Sequence, residues 1–231
     1  MDYSRHTAVP RPHDLVWIEP DALGEHIAPW ALARVAAGQP VVVRRARRDA
    51  GRGLPVGVRG AHRGQREAAR LEPGRWQALR TPESLAADGA WIEHPRAAAV
   101  AAIGAAAGAA CLLNAGGWCW GVTGAVGFEL ATGEPVCHAD SDLDVLIRAP
   151  ERVPRAEARR LARALEALSA PCDAQIETPA GGVALADWAG AAKRVLVKSD
   201  AGPFLCADPW SESGSADADR RPSSVAESPS G

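Results

Sequence analysis

Nothing in these 231 residues has the pattern of a secretory leader, a membrane span or a disulfide framework. The opening stretch MDYSRHTAVPRPHD is polar and broken by proline, not basic and then apolar, so secretion is not expected. The cysteines, Cys111, Cys119, Cys137, Cys172 and Cys206, are odd in number, widely spread and free of any CxxC pair. That spacing indicates neither a disulfide set nor a zinc site, and a reduced, cytoplasmic setting is the expectation. The most apolar run, AAAVAAIGAAAGAACLL at 97–113, covers 17 residues, most of them alanine or glycine. It is shorter than the ~20 residues of a membrane span and reads as a buried helix. Charge of one sign is missing as well: a formal net charge of −2 with 47% hydrophobic residues excludes a disordered polyelectrolyte and a general nucleic-acid coat. No serine or cysteine stands at a recognisable spacing from His62 or His94, so no nucleophile triad is expected.

What is present is an alternation of strands and helices, hence a mixed α/β (α+β) chain with room for two modest domains. DLVWI, PVVVRR and LPVGVRG read as strands, with a helix from about Pro20 to Ala37 interrupted near Pro29. RGQREAARL reads as helical, as does TPESLAA, where Thr81 is the N-cap and Pro82 the first helical residue. Turn residues in ADGAWIEHPR place a boundary near 86–96. Then follow the Ala-rich helix, a strand at WCWGV, a turn and helix through TGAVGFELA, a loop, the strand LDVLIRA, and a helix from Pro154 to Ala170 with Leu161, Leu165 and Leu168 on one face. Strands at CDAQIET, RVLVK and FLCA complete the order. The expected division is a flexible N-terminus over 1–12, a basic α/β domain over 13–90, a mixed-sheet domain over 91–210 and a disordered tail over 211–231, the tails being rich in Ser, Pro and charge. Trp118, Trp120, Trp188 and Trp210 are expected in the core.

The stretch CHADSDLDVLIRAP carries the chemistry, with Asp140, Asp142 and Asp144 on alternate positions before Val145, Leu146 and Ile147. A calcium loop would use acids at this spacing with Glu151 as the closing ligand, but the position that needs glycine for the sharp turn is Val145. A solvated turn accounts for Asp140 and Ser141, whose side chains satisfy local backbone groups. It accounts poorly for Asp144, which lies inside the strand and needs a partner. A divalent-metal site at a strand edge is the third reading: residues i and i+2 share a face with Cα atoms ~6.6 Å apart, so Asp142 and Asp144 can serve one ion. Carboxylates without a His or Cys cluster favour Mg²⁺, or Mn²⁺, over zinc, with His138 read as a loop residue. Upstream, Gly121, Gly124 and Gly127 in WGVTGAVGFEL open a helix after a strand, a place for a phosphate to meet backbone N–H groups.

A strand, a glycine turn into a helix, a loop and then Asp-x-Asp opening a strand resembles the nucleotidyltransferase superfold. The resemblance implies a third acid on a later strand, here Asp173 with Glu177 as substitute. At a finer level, WGVTGAVGFELATGEP, DSDLDVLIRAP, IETPAGGVALADWA and RVLVKSDAGPFLCADPW, with DLVWI and PVGVRGAHRGQREAA upstream, resemble the malonate decarboxylase holo-acyl-carrier-protein synthase (phosphoribosyl-dephospho-CoA transferase, MdcG) family over roughly residues 13 to 210.

That resemblance implies a nucleotidyltransferase-like C-terminal domain and a Mg²⁺-dependent transfer of the 2'-(5''-phosphoribosyl)-3'-dephospho-CoA group from its triphosphoribosyl precursor to a serine of the malonate decarboxylase acyl-carrier subunit. Pyrophosphate is released, and no nucleic acid or membrane takes part. It assigns catalysis to Asp142 and Asp144, the metal to Asp142, Asp144 and Asp173, and substrate contact to Thr123, Gly124 and Ala125. Ala125 stands where the family's turn generally carries serine, and Gln175 where relatives often have an acid. These departures keep open a catalytically degenerate module that binds precursor or carrier, and a nucleotidyltransferase with another acceptor.

A polyanionic substrate also gives meaning to residues 41–80, where eleven arginines face three acids, a local excess of eight positive charges. Arg44 to Arg48 read as a solvated face. Arg59, in a glycine turn, and Arg63 and Arg66, at a helix start, are phosphate-contact candidates, and Lys198, at a strand end, is another. The same basic surface is an alternative dock for an acidic carrier protein.

Overall fold

The computed structural model describes residues 9–47, 53–62 and 64–211. Arg63, the cluster 48–52, and most of both expected tails, 1–8 and 212–231, lie outside the described residues. Among the described residues, two sheets and six α-helices form an α+β fold.

The first sheet is antiparallel throughout and has the order β4-β3-β2-β1-β5. Its strands are β1 (Leu15–Trp17), β2 (Val41–Val43), β3 (Leu54–Arg59), β4 (Arg66–Leu71) and β5 (Ala78–Arg80). Period-two alternation divides each strand between two faces. Val16, Val41, Val43, Val56, Val58, Ala69 and Leu71 form a core covered by α1 (Pro29–Ala36) through Ala31 and Val35. On the opposite face Leu15, with Trp17 and Val42, meets Leu85 and Phe128 from the second half of the chain.

The expected helix over RGQREAARL is instead β4. Arg, Glu and Ala are good helix formers, but propensity is a weak constraint that tertiary pairing overrides: here every residue from Arg66 to Leu71 pairs with β3, and Ala69 and Leu71 are buried. The expected helix over Pro20–Ala37 is shorter. A single 3-10 turn occupies Pro20–Ala22, His26 takes a positive φ of 66°, and the α-helix begins at Pro29. The strand β5 had no clear sequence pattern, being only three residues long.

The second sheet has the order β11-β10-β9-β8-β7-β6. It contains β6 (Cys119–Val122), β7 (Leu143–Arg148), β8 (Cys172–Thr178), β9 (Gly181–Ala184), β10 (Val195–Ser199) and β11 (Gly202–Cys206). Only β7 and β8 run parallel, joined by α5 (Arg155–Glu166), which buries Ala158, Leu161 and Leu165. Leu143, Val145 and Ile147 enter the large core with α3 (Ala101–Ala115), whose alanines allow close packing on the sheet. No helix among the described residues is long and apolar enough to cross a membrane.

Sequence patterning missed β9 and α6 (Leu185–Ala189), which lie in the glycine- and alanine-rich stretch after β8. Of the four tryptophans expected in the core, Trp120 and Trp188 are buried, while Trp118 and Trp210 pack on it, with indole N–H bonds from Trp188 to the Val153 carbonyl and from Trp210 to that of Ala149.

The halves meet where α2 (Pro82–Asp88), capped by Thr81 accepting from Ser84 N at 3.1 Å, crosses β6. Gly121 permits that crossing: a Cβ there would lie 2.1 Å from the Pro82 carbonyl carbon. Arg34 closes the contact from α1 with two bonds to Glu134, at 2.7 and 2.8 Å.

Candidate active site in the cleft between the sheets

The carboxylates of Asp142, Asp144 and Asp173 each place an oxygen within 4.8 Å of the others. The cause is register. In parallel pairing Asp144 lies directly beside Asp173, and Asp142 precedes Asp144 by two residues on the same side. Glu177 sits four residues further along β8 and is taken up by Arg45, Arg148 and the Gln175 amide. Asp140 and His138 stay exposed in the preceding turn, where Ser141 Oγ accepts from His138 N at 2.8 Å. An all-oxygen donor set of three acids fits a hard divalent cation such as Mg²⁺ or Mn²⁺.

Opposite the trio, β6 ends in the turn Thr123–Gly124 that opens α4 (Gly124–Thr132). Gly124 has φ 63°, and a Cβ there would fall 1.8 Å from Asp144 Oδ2, so both backbone and space demand glycine. Thr123 N donates to the Asp144 carbonyl at 3.0 Å, tying the turn to β7. The first bond of α4 runs from Gly127 N to the Thr123 carbonyl, leaving the N–H groups of the first turn, including that of Ala125, without helical acceptors.

The acid-bearing loop is anchored from within. Glu129 of α4, 1% exposed, accepts from Val136 N at 2.9 Å, Cys137 N at 2.8 Å and Arg96 at 2.6 Å, while Arg96 also holds the Cys137 carbonyl. Burial alone would raise the Glu129 pKa; the bonds from Cys137 and Arg96 outweigh it and hold the carboxyl below its ordinary value. His94 lies 3.8 Å from the same carboxylate, a structural position. The sequence signal for this anchor was a single acid within the apolar helix TGAVGFELA.

A cavity of about 460 Å³ extends from the turn to the face of the first sheet, and Thr123, Gly124, Arg44, Arg59, Arg66 and His13 are among its lining residues. Arg59 and Arg66 thus share the cavity with the turn, with Arg66 on a strand and not at a helix start. Arg44, read from sequence as a solvated face, joins them because alternation places it with Val42 on the side away from the core. Lys198 is elsewhere: it pairs with Gly182 on β10 and does not line the cavity.

His13, with φ 78°, approaches Gln175 at 3.1 Å, and burial holds its imidazole pKa below the ordinary value despite Glu177. Its neighbour Asp14 is 1% exposed and accepts from Arg11 N at 2.7 Å. Burial pushes Asp14 from 3.8 up to about 6. The thiols of Cys137 and Cys172 are pushed up to about 12, chiefly by burial, which leaves neither as a thiolate nucleophile.

Known proteins resemble the chain along most of its length. The phosphoribosyl-dephospho-CoA transferase MdcG C-terminal domain model matches residues 84–209, and the N-terminal domain model matches 11–82. A phosphoribosyl-dephospho-CoA transferase of Pseudomonas putida (strain GB-1) is 46% identical over 202 residues, covering 87% of this chain and 95% of its own. Proteins of the same name from Pseudomonas aeruginosa and Klebsiella pneumoniae (strain 342) are 43% and 41% identical, covering 89% and 88% of this chain and 96% and 98% of their own. No solved structure matches.

Proposed function

Since this chain belongs to the phosphoribosyl-dephospho-CoA transferase MdcG family, we propose that it moves the 2'-(5''-phosphoribosyl)-3'-dephospho-CoA group from the triphosphoribosyl precursor to a serine of the malonate decarboxylase acyl-carrier protein, with release of pyrophosphate. The observation that carries this reading is the acidic trio facing the Gly124 turn, where Asp144 occupies the space that any side chain at 124 would take.

In this mechanism the serine oxygen attacks the phosphorus nearest the ribose as its proton passes to solvent, and the phosphorus–oxygen bond to the outgoing pyrophosphate breaks in line with it. Asp142, Asp144 and Asp173 would hold Mg²⁺ or Mn²⁺, which supplies charge neutralisation for the attacking and leaving oxygens. Gly124 and Ala125 present backbone N–H groups to the phosphate chain, with the Thr123 hydroxyl beside them. Arg59, Arg63 and Arg66 contribute positive charge to substrate phosphate, Arg63 lying outside the described residues. Lys198 is retained as a more distant contact.

The test is transfer of a labelled prosthetic group from precursor to purified carrier. Asp142→Asn and Asp144→Asn are each expected to lower transfer by about 1000-fold or more, the scale of removing a group that acts at the reacting phosphate, with the melting transition retained. Full activity in both variants would sink the assignment. Ala125, which lacks the hydroxyl of the usual serine, favours the second reading, a binding module without chemistry; that reading requires precursor binding with no pyrophosphate release from the wild-type chain.

A further inference from the structure

Three arginine side chains, Arg44, Arg59 and Arg66, reach the cavity from one face of the first sheet, where Glu67 is the one acid among the described lining residues; Glu134 and Asp144 act on Arg59 through space. Elsewhere, four half-buried arginines are matched to a carboxylate: Arg34 to Glu134, Arg45 to Glu177, Arg96 to Glu129 and Arg148 to Glu83. Arg59 and Arg66 are directly opposite each other on β3 and β4, an arrangement in which like charges repel. The stem of Arg44 crosses Gly57, its Cδ only 3.2 Å from where a Cβ would stand. Arg59 is fixed with its guanidinium carbon 5.5 Å from the Phe128 ring centroid, and burial, then the Arg66 charge, pushes its pKa down.

Three arginines against the single acid Glu67 in the described lining leave this wall of the cavity with an excess of positive charge, and an excess of clustered cations in a concave site selects an anion. The Gly124 turn lines the same cavity, and Asp144 lies directly against it on the other wall. A substrate carrying two phosphate groups would therefore meet two differently built sites. We propose that Arg44, Arg59 and Arg66 form a second anion subsite, which takes the diphosphate of the dephospho-CoA moiety while the triphosphate end lies at the carboxylates. This rests on the function proposed above and adds which of the substrate's phosphate groups the first sheet reads.

Titration calorimetry of the full chain with 3'-dephospho-CoA, without divalent cation, isolates this subsite. Arg44→Gln and Arg66→Gln are each expected to weaken binding by about tenfold or more, the scale of a lost charge-assisted hydrogen bond. Both residues are exposed, so melting should be unaffected. Adenosine, which has no diphosphate, should bind wild type at least about tenfold more weakly than dephospho-CoA. The exposed Arg160→Gln on α5 should bind dephospho-CoA as wild type does.

Wild-type affinity in both cavity variants, an equal loss in Arg160→Gln, or no binding to wild type overturns the subsite. Asp144→Asn separates the two claims, since it should lose transfer and keep dephospho-CoA binding. If transfer instead persists in Asp142→Asn and Asp144→Asn while the arginine variants lose binding, the catalytic reading fails and the subsite stands.

Discussion

On one side of the Gly124 turn stand three carboxylates, Asp144 and Asp173 on the adjacent parallel strands β7 and β8 and Asp142 in the loop that enters β7; on the other, three arginines project from the end of β2 and the hairpin β3–β4, with β4 at the edge of its sheet. The acidic wall is backed by the large core through Leu143, Val145 and Ile147 and by the buried Glu129 anchor. The basic wall has a smaller core behind it, and Arg44 and Arg66 are exposed. The contrast fits a division of labour in which reacting atoms require carboxylates held on rigid central strands, whereas charge recognition tolerates placement on an edge hairpin. Each wall repels itself, and opposite kinds of ligand relieve them.

The comparison can be broken most severely from inside the acidic wall. Glu129→Ala strips a buried acceptor from Arg96, Val136 N and Cys137 N, and removal of one partner of a buried pair costs about 3–5 kcal/mol. Chemical denaturation should show a loss of that size, with transfer falling because the loop carrying Asp142 is freed.

Gly124→Ala comes next. A Cβ at positive φ costs about 1–2 kcal/mol, and the methyl displaces Asp144 Oδ2. Transfer should fall by about 100-fold, as expected when a catalytic group is moved by an ångström, while dephospho-CoA binding at the arginines persists. Simultaneous loss of both would show that the walls are one site.

A smaller effect sharpens the picture of the first sheet. Asp14 has its pKa raised to about 6, mainly by burial. The stability linked to this group is therefore fully present below its ordinary value of 3.8 and is lost as pH rises through about 6. A rise of that size corresponds to about 2–3 kcal/mol. Asp14→Asn should melt higher than wild type at pH 8, with the gap closing toward pH 4. An equal difference at both pH values would assign the effect to packing.

Much of the acidic wall was legible because its signals are local. Asp142 and Asp144 declare a shared face through the two-residue period of a strand, and Gly124 marks a turn before an apolar helix. The basic wall was less legible. RGQREAARL favours helix in its own composition, and only pairing with LPVGVRG makes it a strand; that pairing sets Arg66 beside Arg59. Arg44 looked like part of a solvated run because its neighbours are arginines, although Val41 and Val43 already implied the face on which it stands. His13 could not be read at all, since its approach to Gln175 joins residues far apart in the chain.

The sequence by itself determined the spacing of the acids, the glycine at the turn, the α5 crossover and the excess of arginine, because each depends on neighbours within a few residues. Tertiary structure decided which third acid completes the trio. On β8, Asp173, Gln175 and Glu177 share a face, and any of them could meet Asp144 if register were free. Parallel pairing sets Asp173 beside Asp144 and leaves Glu177 among arginines. Register is a property of two strands separated by a helix, fixed by the burial of Leu143, Val145, Ile147 and Ile176 in one core, and no single strand records it.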